Sequence, residues 1–395
     1  TSRGLGDVYK RQVYIALHAL LLLVLLFFCR RIVLNGRNYW RLAIIPILSY
    51  GLEEGLRWGR ETDWNLYYYV YEDYLHGLSS DHEWLFQLIW RSFASFGLPY
   101  PCVITACSLF FIFALFFFFK PYASRKEFAY IIPLCVACHI ITSSNLIRWY
   151  MAVSFMLMGC RLFSERKFWM AILCFVAAIS THFFSIVIVL FLVCLFYYKK
   201  IIMRPVWACL VCVLLLLLFD RSMLAKFGFI YDYLGMFNRF SGYLDNGYSW
   251  IIGADEGYSG TKSVLMSFVT FMPYFAFIMS GYHLMQKGAL QVAYYNLVVV
   301  ASMLKIISSG LELFSRVYYF FDIFICLSCI LSIGYLRNNS RTVFLKLLMI
   351  ICIFYVIRKF VYMCEPMQYD ELMLYVWDKQ IEPSSILEFK RLVSQ

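Results

Sequence analysis

Charge is scarce in this chain: Asp, Glu, Lys and Arg make up 15% of its 395 residues, against about 25% in an ordinary soluble domain. Hydrophobic residues reach 62%, which excludes a large soluble domain with a solvated surface. The short alternating segments of an outer-membrane barrel are missing too. No Asp-x-Asp pair occurs anywhere, which argues against a metal-bridged nucleotide-sugar donor. His18, His76, His82, His139 and His283 show no metal-ligand spacing, and no metal or other cofactor is expected. No low-complexity stretch, internal repeat or cleavable signal peptide stands out.

Two abundant features need care. The net charge of +11 would suit nucleic acid, but the Lys and Arg residues sit in short clusters between apolar runs, where the positive-inside rule puts them. No basic face with interleaved aromatics exists, so nucleic acid is not an expected partner. Fourteen cysteines include the Cys-x-x-Cys pairs Cys135/Cys138, Cys209/Cys212 and Cys326/Cys329. All three fall inside apolar runs without the His or carboxylate partners of a zinc site. They read as small hydrophobes.

What is there is a series of apolar runs, each about 15 to 20 residues long, punctuated by basic clusters. The expected fold class is all-α: a polytopic helical membrane protein with about twelve transmembrane helices and one short re-entrant or interfacial helix. Residues 1–12 read as a non-native leader and are set apart. Residues 13–362 form one transmembrane domain with outer loops at 57–83 and 220–263. Residues 363–395 form an extracytoplasmic tail.

Orientation follows from charge. The run at 13–29 leads into Arg30, Arg31, Arg37 and Arg41, the densest basic linker, which belongs in the cytoplasm. The run at 42–56 then delivers residues 57–83 to the outside, with two basic residues against six acidic ones. Residues 84–98 are amphipathic and end at Pro99 and Pro101, as an interfacial or re-entrant helix would. Later basic clusters fall inside when the intervening runs are counted alternately. The tail from Met363 holds three basic and six acidic residues, with an expected capping box at Ser385 and Glu388.

Two stretches must contain breaks. Residues 128–160 hold no Asp, Glu or Lys and a single Arg; they are long for one crossing and short for two at about 20 residues each. The polar run from Thr142 to Asn145 suits a helix N-cap, with Arg148 in the first turn after it. Residues 168–198 likewise hold two short helices with Ser180, Thr181 and His182 at the bend. Arg148 and His182 are thus expected at turns recessed below the outer surface. The loop at 220–263 carries seven of the 20 glycines and many aromatics, which serve either as an interfacial belt or as stacking faces for sugar rings.

The polar residues delivered to the outer side form the candidate site. Arg57, Arg60, Arg148 and Arg316 are its cations, Asp63 and Glu312 its carboxylates, and His182 its titrating group. Four arginines on one side suit an anion, and their planar forks fit phosphate. The anion most available in a membrane is a lipid phosphate or diphosphate. As a leaving group it would be neutralised by arginines, while a carboxylate or His182 served as general base on an acceptor hydroxyl. The plain alternatives are a mutually paired loop at Arg57, Arg60 and Asp63, a snorkelling Arg148, a hydrogen-bonded turn residue at His182 and a structural helical pair at Glu312 and Arg316.

Ordered motifs at these residues carry a resemblance. They are Leu56-Arg57 followed by Thr62-Asp63-Trp64 and Tyr67, then Asn145-x-Ile147-Arg148-x-x-Met151-Ala152, the Ser180-Thr181-His182 bend, and Ser315-Arg316 before Tyr318-Tyr319-Phe320. In them the chain resembles the EpsG family of bacterial polysaccharide polymerases, related in character to Wzy-type O-antigen and capsule polymerases. It departs from the family pattern at Glu61, where Gly is frequent, and at Trp149, where Gln is. The resemblance implies a Wzy-like or GT-C-like membrane glycosyltransferase without a metal, in the bacterial inner membrane, its site facing the periplasm or exterior. Its substrate would be an undecaprenyl-diphosphate-linked oligosaccharide, polymerised into surface glycan. A flippase and a chain-length regulator would be its partners. By analogy Arg148 and Arg316 go to the diphosphate, Arg57 and Asp63 to positioning of donor or acceptor, and His182 to acid–base or orienting work.

Three other classes fit the same pattern. A glycan ligase would differ only in its acceptor. A membrane O-acyltransferase would need an acyl donor, and a transporter or flippase of the lipid-linked unit would leave glycan length unchanged.

Overall fold

The computed structural model describes residues 2–60, 63–219, 264–308, 312–339, 342–364, 374–378 and 382–384. The described residues are almost entirely helical, in the all-α class, and the chain is a polytopic membrane protein. Among the described residues five segments are long and apolar enough to cross a membrane: Gln12–Leu34, Tyr100–Tyr122, Phe128–Asn145, Ser267–Gln286 and Ser315–Asn339. Four more apolar helices are shorter, at 14 to 16 residues. Of the expected twelve crossings, five among the described residues therefore combine the length and the apolar composition of a full span. The loop at 220–263 and the Ser385/Glu388 capping box lie outside the described residues.

The chain divides into two compact units, residues 1–197 with 356–395 and residues 198–355. In the first, α1 (Ser2–Leu34) runs through the residues set apart as a leader and packs on α2 (Tyr39–Gly55). The other side of α2 lies on α5 (Tyr100–Phe119). Gly51 and Gly55, one turn apart, make that approach close: a Cβ at Gly55 would fall 2.5 Å from the Thr105 Cα. Small residues at this spacing are how membrane helices bring their backbones together.

After α2 comes β1 (Arg57–Trp58), and Gly59 then turns the chain with φ at 72°, a left-handed value that favours glycine. The acidic segment expected as a loop contains a helix, α3 (Trp64–Leu75). Trp64, Tyr67, Tyr71 and Tyr74 recur at helical spacing and are all buried, whereas Asp73 is exposed; the aromatic face thus decides this segment, not its acidity. It packs on α4 (Trp84–Ser95), which buries Phe86, Trp90 and Ala94 and exposes Trp84. Twelve residues span only about 18 Å, which fits an interfacial helix.

Both expected breaks are present. α6 (Phe128–Asn145) and α7 (Ile147–Ser164) are separated by Leu146 alone, with φ −97° and ψ 54°. Thr142, Ser143 and Ser144 do not cap α7, as their composition suggested. Their hydroxyls donate back to the His139 and Ile140 carbonyls, so they complete the last turn of α6. α8 (Phe168–Thr181) and α9 (Ser185–Tyr198) meet at His182, whose backbone is extended. At 14 residues each, these helices reach about 21 Å, less than the hydrocarbon core of about 30 Å.

In the second unit α10 (Pro205–Leu218), α11 (Val264–Gln286), α12 (Val292–Ile307) and α13 (Glu312–Asn339) pack on one another. α14 (Val343–Cys364) crosses the boundary between the units. Beyond it β2 (Leu374–Tyr375) pairs antiparallel with β1, Arg57 opposite Tyr375 and Trp58 opposite Leu374. The tail, expected as an outer appendage, is in this stretch part of the Arg57 segment.

Candidate functional site

The end of α2 supplies the first half of the site. Glu54 is 1% exposed and Arg57, three residues on, is 2% exposed. Arg57 Nη1 donates to the Glu54 carbonyl at 2.7 Å and to Glu54 Oε2 at 3.1 Å, and Nη2 donates to the Ser144 carbonyl at 2.7 Å. The Ser144 hydroxyl also donates to Glu54 Oε2. Past the Gly59 turn, Arg60 Nη2 donates to Glu54 Oε1 at 2.5 Å and Nη1 lies 3.6 Å from Glu53 Oε1. Burial opposes the charge on Arg60, but Glu54 and Glu53 more than offset it, and its pKa is raised. Glu54 thus faces both guanidiniums inside the fold, and Glu53 lies beside Arg60 alone.

Glu53 ties in two further elements. Its Oε1 accepts from the Tyr375 hydroxyl of β2 at 3.0 Å and lies 3.5 Å from His18 Nδ1 of α1. His18, Glu53 and Glu54 offer ligand atoms within 4.8 Å of one another. They do not fit a metal ion, because Arg57 and Arg60 already supply the positive charge that a cation would bring.

The α6–α7 break joins this cluster to the second half. Asn145 Oδ1 accepts from the backbone N–H of Asp63 at 2.9 Å, which docks the start of α3 against the break. Arg148, the second residue of α7, is less enclosed than Arg57 or Arg60, with 20% of its side chain exposed. Its Nη1 donates to Glu83 Oε2 at 2.9 Å, and its guanidinium stands 6.0 Å over the Phe86 ring. The other oxygen of Glu83 accepts from the backbone N–H of Phe183 at 3.0 Å, directly after His182. His182 itself is 7% exposed and meets the Trp149 ring edge-on, with centroids 5.0 Å apart. Burial and the nearby Arg148 lower the His82 pKa from 6.5 to about 4, Glu83 and Asp81 opposing that shift.

Arg57, Arg60, Asp63, Arg148 and His182 therefore all belong to the first unit, the first three between α2 and α3 and the other two at the helix breaks. Glu312 and Arg316 belong to the second, at the start of α13 and four residues apart; the Glu312 side chain lies outside the described residues. Near them Lys305 stands 4.6 Å over the Tyr318 ring, Tyr318 donates to Asp322, and the Tyr274 and Tyr318 hydroxyls are 2.9 Å apart.

Sequence reasoning missed Glu53, Glu54, Glu83, Asp322 and Tyr375. For the first two a signal existed: adjacent carboxylates inside an apolar run are costly, and Glu54 stands three residues before Arg57, within reach on a helix. Glu83 and Tyr375 had none, since their partners are distant in the chain. What the arrangement can do differs between its halves. The buried cluster anchors five elements, α1, α2, α6, β1 and β2, whereas Arg148 keeps a partly open guanidinium at the start of α7, where anions are favoured.

No curated protein and no solved structure matches the chain. A match to the EpsG family runs from residue 38 to residue 377, taking in both helix breaks and the Tyr375 strand, and the chain belongs to that family.

Proposed function

We propose that this protein is a polysaccharide polymerase that joins undecaprenyl-diphosphate-linked oligosaccharide units at the outer face of the bacterial inner membrane. The observation that carries this reading is Arg148: a partly open guanidinium at a break between two apolar helices, next in the chain to Trp149, whose ring meets His182 edge-on, in a chain of the EpsG family. In the reaction, a hydroxyl oxygen of the acceptor unit attacks the anomeric carbon of the donor. The bond from that carbon to the diphosphate breaks, undecaprenyl diphosphate leaves with the electron pair, and the hydroxyl proton passes to a base.

Arg148 neutralises the leaving diphosphate, the role that the family resemblance gives to Arg316 as well. His182 takes or orients the acceptor proton, with Asp63 as a carboxylate of the same unit that can share that work. Arg57 and Arg60, held by Glu53 and Glu54, act by fixing the turn that presents Asp63. With arginines in the charge-stabilising role the transfer needs no metal. With the basic clusters between the apolar runs on the cytoplasmic side, the site faces the periplasm or exterior, where a flippase delivers substrate and a chain-length regulator limits product.

The test is surface-glycan length in a deletion strain complemented with wild type, Arg148→Ala or His182→Ala at matched protein level. Single repeat units in the deletion and Arg148→Ala strains are the expected result. Long glycan in a deletion strain without a redundant polymerase sinks the reading. Full-length glycan that fails to transfer to its final acceptor marks a ligase, loss of acyl groups an acyltransferase, and accumulation of inward-facing lipid-linked units a flippase.

A further inference from the structure

One carboxylate spans the two helix breaks. Glu83, directly before α4, gives one oxygen to Arg148 Nη1 at 2.9 Å and the other to the Phe183 backbone N–H at 3.0 Å. Its partners lie 65 and 100 residues away, so no local preference of the chain brings them together. Arg148 starts α7, and Phe183 follows His182 in the turn before α9. A single side chain of which only 14% is exposed thus sets the spacing of two residues that the transfer reaction uses.

An exposed counter-charge for Arg148 would contribute little and would need only one oxygen. The second oxygen, on the amide beside His182, does what a counter-charge does not: it fixes the turn. Glu83 occupies Nη1 of a guanidinium that has five N–H donors, so an edge of Arg148 is left for an incoming anion. The Phe86 ring backs the guanidinium at 6.0 Å and limits its swing.

We infer that Glu83 is a positioning residue for glycosyl transfer, holding the Arg148 guanidinium and the His182 turn in one geometry. This rests on the roles given to Arg148 and His182 above. Glu83 does not touch substrate. Its negative charge also opposes diphosphate binding at Arg148, so its loss weakens turnover without weakening donor affinity.

The test uses full-length protein in nanodiscs, with polyprenyl-diphosphate-linked oligosaccharide from the deletion strain as donor. Glu83→Gln keeps the size but offers one acceptor oxygen, and its NH2 meets a donor at the other position. Expected is a kcat lower by about tenfold to a hundredfold, the scale of a small misplacement at a reacting centre, with KM for the donor no higher than wild type. Arg148→Ala instead raises KM as well. Glu83→Asp, one methylene too short to reach both partners, lowers kcat in the same way and serves if the Gln variant does not fold. Wild-type kcat per folded molecule in either variant, a raised kcat, or a raised KM overturns the positioning role. If Arg148→Ala and His182→Ala also keep wild-type kcat, the assignment of the site itself fails rather than the role of Glu83.

Discussion

Glu54 and Arg60 meet at 2.5 Å across a left-handed turn at Gly59, both side chains almost wholly inside the protein. The same carboxylate holds Arg57 at 3.1 Å, so two of the four arginines on the expected outer face are already engaged by a buried carboxylate. Of the three candidate arginines in the first unit, the most open to an external anion is Arg148, 20% of whose side chain is exposed.

Removing Glu54 tests the strength of that match. Glu54→Ala leaves two buried guanidiniums short of a partner, a change that costs about 3–5 kcal/mol when a buried ion pair is broken. Thermal unfolding of the detergent-purified variant should show a large drop in melting temperature and a low folded yield. An unchanged melting curve would mean that water reaches the cluster freely.

Gly55 tests the approach of α2 to α5. A Cβ there falls 2.5 Å from the Thr105 Cα, and backbone cannot step aside as a side chain can. Gly55→Leu forces the helices apart and costs about 1–3 kcal/mol or more. Because Glu53 and Glu54 sit at this end of α2, glycan length should fall as well, and Gly36→Ala, at a position with open space around it, serves as the neutral control.

Arg148→Lys separates charge from geometry. A lysine keeps the charge as a point but loses the planar fork, and a hydrogen bond to a charged group contributes about 1.5–3 kcal/mol. Polymerase turnover should fall by about tenfold to a hundredfold while the protein level stays normal. Equal turnover in the Lys variant would reduce the role of Arg148 to bulk charge.

The lowered pKa of His82 gives a pH dependence with a definite sign. In the folded chain this imidazole stays neutral down to about 4, while in the unfolded chain it takes up a proton near 6.5. Between those values the unfolded state binds more protons, so stability is highest above about 6.5 and is lost as pH falls toward 4. His82→Gln should flatten the change in melting temperature between pH 7 and pH 5. A slope identical to wild type would assign that dependence to other groups.

Several features were legible without coordinates because they rest on local properties of the chain. Low charge, long apolar runs and basic linkers give a helical membrane protein whatever the tertiary arrangement, since only helices and closed barrels satisfy the backbone in lipid. The breaks near Arg148 and at His182 follow from length, because neither stretch accommodates two full crossings. The aromatic helix α3 was also written in periodicity, at Trp64, Tyr67, Tyr71 and Tyr74, but the acidic residues between them gave a loop instead.

By itself, then, the sequence determined the class, the breaks and the family motifs, each a matter of composition, spacing or order along the chain. Only the tertiary structure decided that Arg57 and Arg60 are closed while Arg148 stays partly open. Charge pairing depends on side chains that meet across space: Tyr375 reaches Glu53 from the tail, Ser144 reaches Glu54 from α6, and Glu83 reaches both Arg148 and the His182 turn. No periodicity encodes those meetings, and they are what divides the polar residues into an anchor and a site.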